Sequence, residues 1–200
     1  MRIKRQIFII HGGSTHSSRK DYLRKLRRRK IYIEPIKIWK DEFFDKELGK
    51  KFQIIRPRMP LSENAKYEDW KIHFDLHLPY LRHNIVLIGW SLGGIFLAKY
   101  LSENKFPKKI AAVFLISPPF DNTLKEELVG GFKLKRDLSK LDKIPNLTFM
   151  FSKDDKVVPI SHMRKYRAKL SNVKFVVYKS KNGHFLVAKF PEITQIIKKL

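Results

Sequence analysis

Ser91 is the residue of this sequence best placed for chemistry. The run Gly89-Trp90-Ser91-Leu92-Gly93 follows an apolar stretch, Ile85-Val86-Leu87-Ile88, and precedes a helix-like segment. A serine at a sharp turn from strand to helix holds its Oγ up at the sheet edge, and small residues two before and two after leave room for the turn. The helix that starts there offers free amides and partial positive charge to a developing oxyanion. Nucleophilic attack on a carbonyl is the reaction such a serine suits. A serine hydroxyl is a weak nucleophile at its ordinary pKa, so it needs a base within hydrogen-bond reach, itself oriented by a carboxylate.

Two of the seven histidines, His162 and His184, come after Ser91. His162 falls inside a helix-like segment, which predicts a surface role. His184 follows the last strand-like run, and the preceding Asn182-Gly183 pair permits a turn that brings the imidazole back over the sheet. Three carboxylates compete to orient it. Asp155 follows a strand-like run, Asp154 beside it can cap the same turn, and Asp121 follows the run before that.

These residues need a frame. Apolar runs of strand length recur at Ile7–Ile10, Phe52–Ile55, Ile85–Ile88, Ala111–Ile116, Leu147–Phe151 and Val173–Tyr178. Runs apolar on both faces are what a parallel sheet covered by helices requires. Segments with mixed polar and apolar periodicity lie between them: about 17–30, 66–81, 95–101, 160–170 and 192–200. The alternation predicts an α/β fold, a doubly wound and mostly parallel sheet in one domain over residues 1–200. Binding sites in such sheets form beyond the carboxyl ends of the strands, and His11, Ser91, Asp155 and His184 all follow the ends of strand-like runs. Residues 31–51 are ambiguous. Trp39, Phe43, Phe44 and Leu48 can line one face of an extra helix packed on the body. Residues 118–143 carry an apolar face beside Gly130-Gly131, suited to a small mobile lid or to a crossover helix.

Taken together, His11-Gly12-Gly13, the run from Gly89 to Gly94, Asp155-Lys156-Val157-Val158-Pro159 and Gly183-His184-Phe185 resemble the α/β-hydrolase superfamily. The likeness spans nearly the whole chain. In size and order of elements it is closest to the compact serine hydrolases related to retinoblastoma-binding protein nine. The resemblance implies the chain order nucleophile, acid, histidine, hence Ser91, Asp155 and His184, with Asp154 and Asp121 as alternative acids. It also implies an oxyanion hole made of the Leu92 amide and an amide of the loop after the first strand, Gly13 before Ser14. His11 then fixes that loop by hydrogen bonding and is not a second base. Neither G-x-G-x-x-G nor the P-loop lysine pattern is present, which disfavours a phosphate cradle.

The implied reaction is acyl transfer from an ester or related small-molecule substrate, through an acyl-enzyme, with no cofactor and no metal. The same three residues would serve an acyltransferase or perhydrolase. A non-catalytic binding module with a basic surface is the alternative of another class. Activity should fall on acidification as the histidine base protonates.

The bulk composition bounds this reading. With 43 Lys and Arg against 19 Asp and Glu, the formal charge is +24. Such a field attracts phosphates, acidic lipid surfaces and anionic substrates. The densest basic cluster lies between Arg19 and Lys30 and suits a nucleic-acid or membrane-surface patch. It equally suits a solvated helix face in a chain drifting towards Lys, Ile, Phe and Asn, and the even spread of basic residues favours that second reading. The absence of cysteine excludes disulfides, thiol catalysis and thiolate metal sites. No stretch reaches the roughly 20 apolar residues of a membrane span, and the first apolar run is too short for a secretory signal. A cytoplasmic protein is the expectation.

Overall fold

Strands apolar on both sides can be buried only in a sheet covered on both faces, and that is how the chain folds. The computed structural model describes residues 4–31, 33–34, 37–124 and 128–200. Six strands, β1 (Arg5–Ile10), β2 (Phe52–Ile55), β3 (Ile85–Trp90), β4 (Ile110–Ile116), β5 (Leu147–Ser152) and β6 (Lys174–Tyr178), form one sheet in the order β2-β1-β3-β4-β5-β6. Every neighbouring pair is parallel. The helices are α1 (Arg19–Arg27), α2 (Glu42–Leu48), α3 (Tyr67–His77), α4 (Leu92–Glu103), α5 (Ser161–Arg167) and α6 (Pro191–Lys198).

Alternate side chains of each strand feed two separate cores. Phe8, Ile10, Ile85 and Leu87 pack with Trp70 and Phe74 of α3, Phe96 of α4 and Tyr166 of α5. Ile7, Ile9, Val86 and Ile88 face the other way, against Phe44 and Leu48 of α2 and Ile193 and Ile197 of α6. The fold is therefore the doubly wound α/β sheet that the alternation of runs predicts. The chain runs outward from β1 to β2 and then returns past β1 to β3. The crevice of such a sheet opens at this reversal, beyond the carboxyl ends of β1 and β3. Those ends carry His11-Gly12-Gly13 and Ser91.

The ambiguous stretch before β2 forms α2, with Trp39, Phe44 and Leu48 buried. The Trp39 ring meets Phe190 edge-on at 5.6 Å, and the Trp39 backbone N–H bonds the Val187 carbonyl at 2.9 Å, which seats the segment against the approach to α6. Within 118–143, the described residues form only single 3₁₀ turns at Gly130–Phe132 and Ser139–Lys143. Val129, Phe132, Leu138 and Leu141 from this stretch are buried in the core that holds α3 and α4. Residues 125–127 of that segment lie outside the described residues. Among the described residues no helix is long and apolar enough to cross a membrane.

α1 differs from the other helices. Ser18 caps it by accepting the Asp21 N–H at 3.1 Å, yet none of its side chains is buried. Its local signals make the helix, and it lies on the surface.

Candidate active site

β3 passes directly into α4, and Ser91 sits at the junction with φ 56° and ψ −120°. Positive φ is strained for a residue with a Cβ. The strain is held by close packing: the Ser91 N–H bonds the Ile116 carbonyl at 2.8 Å, and the Ser91 carbonyl accepts from Gly94 and Ile95. A Cβ on Gly93 would collide with the carbonyl oxygens of Ile10 and His11, and one on Gly89 with the Gly93 carbonyl. Only glycine lets the new helix start so close to β1.

The loop after β1 approaches this turn closely. A Cβ on Gly13 would come within 2.7 Å of the Ser62 carbonyl oxygen and 3.2 Å of both Leu92 and Trp70. Ser14, the second choice for an oxyanion donor, already gives its N–H to the Ser62 carbonyl at 2.8 Å. Among the described residues nothing accepts from the Gly13 or Leu92 N–H. His11 uses both ring nitrogens on the main chain. Nε2 accepts the Met59 N–H at 3.0 Å, so the proton sits on Nδ1 and is given to the Gly12 carbonyl at 2.5 Å. Burial lowers its pKa, with Lys40 and Arg58 adding to the effect and the Gly12 bond opposing it. A neutral imidazole clamped in this way ties the β1 loop to the segment after β2.

Across the sheet, Asp155 follows β5 and His184 follows β6, and His184 Nδ1 lies 2.7 Å from Asp155 Oδ2. Asp155 is buried, and Oδ2 also accepts from the Ser117 hydroxyl at 2.7 Å. Its Oδ1 accepts the Val157 and Val158 amides, both at 2.9 Å. Burial alone would raise the carboxyl pKa. The hydrogen bond and charge of His184, the Val158 amide and Ser117 outweigh it and hold the group below the ordinary aspartate value. An ionised carboxylate can only accept, so Nδ1 carries a proton and Nε2 is the ring nitrogen turned away from Asp155. Nε2 is buried with no hydrogen-bond partner among the described residues. Asn182 and Gly183 both take positive φ, 51° and 70°, in the turn that delivers the ring.

The remaining candidates fall elsewhere. Asp154 holds the two loops together, accepting the Gly183 amide at 2.9 Å and the Lys181 amide at 3.2 Å as well as the Ser152 and Ser180 hydroxyls. Asp121 pairs with Lys165 at 2.7 Å. His162 is fully buried, against the expectation of a surface residue, and its Nδ1 accepts the Phe120 N–H at 3.0 Å. That face of α5 packs over the segment following β4, a relation helical periodicity cannot reveal.

Two supporting residues were missed by reasoning from motifs. Ser117, buried at φ 43°, follows β4; its place at a strand end before Pro118-Pro119 was the available signal. Trp90, inside the elbow, donates its indole N–H to the His184 carbonyl at 3.2 Å and lies beside the imidazole, with ring centroids 5.7 Å apart. No spacing rule points to it. Ser91, His184, Gly13 and Trp90 line a common cleft of about 570 Å³. A serine hydroxyl, an imidazole held by a carboxylate and two amides without acceptors are the groups that acyl transfer requires.

Comparison with known proteins agrees with this fold. Residues 38–199 match the serine hydrolase family. No curated protein sequence matches significantly. Among solved structures, the ydeN gene product of B. subtilis is similar over 98% of both chains at 20% identity, with a TM-score of 0.75. A predicted CIB-like hydrolase from Thermoplasma acidophilum matches 98% of this chain and 87% of its own at 17% identity, TM-score 0.59. The meta-cleavage product hydrolase CumD of Pseudomonas fluorescens IP01 matches over 98% and 89% at 11% identity, TM-score 0.64. The superfamily resemblance of the motifs holds in three dimensions, and the chain belongs to the serine hydrolase family, built on an α/β-hydrolase fold.

Proposed function

We propose that Ser91, Asp155 and His184 are the catalytic triad of an enzyme that cleaves esters of small acyl substrates through an acyl-enzyme. The observation that carries this reading is the 2.7 Å bond between His184 Nδ1 and Asp155 Oδ2. It orients the imidazole of His184, which lines the same cleft as Ser91 and whose Nε2 has no other partner among the described residues. In the reaction, Nε2 takes the Ser91 proton as Oγ bonds to the ester carbonyl carbon. The Leu92 and Gly13 amides receive the oxyanion. Asp155, kept ionised, stabilises the imidazolium, which returns its proton to the departing alcohol. Water then enters by the same steps and releases the acid. In this reading residues 1–200 act as one unit, and any cover from 118–143 is small.

A serine-directed fluorophosphonate tests the reading. Wild-type protein should label, while Ser91→Ala and His184→Ala should not, and 4-nitrophenyl esters of short acids should be turned over only by wild type. Folded wild-type protein that fails to label, or Ser91→Ala protein that labels equally, would overturn it.

A further inference from the structure

Beside the reacting groups, the cleft is lined by an ion pair that the chemistry does not use. Arg29, just beyond α1, grips Glu63 with both ends of its guanidinium, Nη1 to Oε2 at 2.7 Å and Nη2 to Oε1 at 3.2 Å. Both side chains line the cleft that holds Ser91 and His184. Both are also about half exposed, 52% and 57%. A pair so open to water contributes little to folding. Exchanging one carboxylate partner for another at such a site loses little. The guanidinium fork matches any planar carboxylate or phosphate edge in the same two-pronged way.

We propose that the natural substrate carries a negatively charged group near its scissile ester, and that Arg29 recognises this group by releasing Glu63. The inference rests on the triad reading and adds the substrate class to it. With no anion bound, Glu63 neutralises Arg29, so a neutral ester gains nothing from the rim. An anionic ester displaces Glu63 and takes the fork.

The surroundings favour an anion. Lys25 joins Arg29 and Glu63 in the depression next to the cleft. Lys40 and Arg58 each disfavour a proton on His11, which places a positive field at the β1 loop. Of the acidic side chains at the site, Asp155 is already saturated by His184, Ser117 and two amides, which leaves Glu63 as the displaceable one. The chain's charge of +24 would draw an anionic substrate in from solution.

The test compares pairs of esters in which one member carries a carboxylate, with the preference read against the variants. On the acyl side, 4-nitrophenyl hemiadipate is set against 4-nitrophenyl hexanoate. On the alcohol side, 4-acetoxybenzoate is set against phenyl acetate. Wild-type protein should prefer the charged member of at least one pair by kcat/KM, and the pair concerned shows which side of the ester bears the anion. Arg29→Ala should lower that preference roughly tenfold, the scale of one charge-assisted hydrogen bond, chiefly through KM. Glu63→Gln should raise it, and added salt should weaken it. Arg24→Ala removes a charge that does not line the cleft and should leave the preference as in wild type. A preference absent from both pairs, or present but unchanged in Arg29→Ala, overturns the inference while leaving the triad reading intact. A wild-type chain that neither labels with fluorophosphonate nor hydrolyses any of the four esters overturns the triad reading and this inference with it.

Discussion

The two sides of the cleft are built on opposite principles. On the side of β4, β5 and β6, the acid and base proposed for the reaction are buried and tied in place. Ser117, Asp155 and His184 form a chain of short hydrogen bonds, and Asp154 and Trp90 brace the loops that carry them. On the side of α1, no helical side chain is buried, and the ion pair at the cleft, Arg29 with Glu63, is open to solvent on both partners. Burial makes each hydrogen bond costly to lose and keeps the base in one orientation. Exposure makes each ion pair cheap to exchange. In the proposed reaction one side would hold a fixed geometry, while the other would be able to change partners.

The contrast can be broken by substitution. Ser91→Ala should lower ester turnover by about 10⁴-fold or more without lowering the unfolding temperature. A loss below tenfold in a fluorogenic ester assay would place the chemistry elsewhere. Gly93→Ala puts a methyl group against the carbonyls of Ile10 and His11 and should destabilise the fold by about 3 kcal/mol, seen as a lower urea midpoint. A midpoint equal to wild type would mean that the start of α4 can move away from β1. Ser117→Ala removes one buried donor to Asp155 and should cost about 1 kcal/mol, with the Asp155 carboxyl shifting up. A urea titration that cannot separate it from wild type would show that this bond contributes nothing.

Acid should also weaken the fold through two groups around the cleft. His11 and Asp155 both have pKa values lowered in the folded protein, so at either group the unfolded chain binds more protons over the affected range. Stability therefore declines as pH falls. The His11 contribution is complete above the ordinary histidine range and begins to be lost below about pH 6.5. That of Asp155 is present above the ordinary aspartate range and is lost as pH drops through its lower folded value. Melting temperatures from pH 8 to 3 should show both declines, and His11→Gln should flatten the first. A wild-type curve that is level between pH 7 and 5 contradicts the clamp assigned to His11. The smallest effect belongs to the exposed side: Arg24→Ala breaks the surface pair with Asp21 and should change stability by no more than about 0.5 kcal/mol. A larger loss would show that α1 is held more firmly than its exposure implies.

Much of the sheet was legible because its signals are local. Each apolar run became a strand, and the glycines around Ser91 marked a turn that only small residues permit. His162 misled because periodicity identifies a helix but not what packs against it. Asp154 and Asp155 are neighbours with the same side chain, and only the resemblance of the run from Asp155 to Pro159 ranks one above the other. In the folded chain one faces His184 and the other the turn at Ser180 and Gly183.

The sequence by itself determined the alternation of strands and helices, the elbow at Ser91, and the placement of candidate polar groups at strand ends. These follow from side-chain size, polarity and backbone freedom within a few residues. Only the tertiary structure decided that Asp155, and not Asp154 or Asp121, bonds His184, that Ser117 joins them, that Trp90 braces the histidine, and that Arg29 meets Glu63 at the cleft. Asp155 and His184 are 29 residues apart, and Arg29 and Glu63 are 34 apart. Contacts over such spans depend on which strands lie side by side, and strand order is set by the packing of the whole sheet.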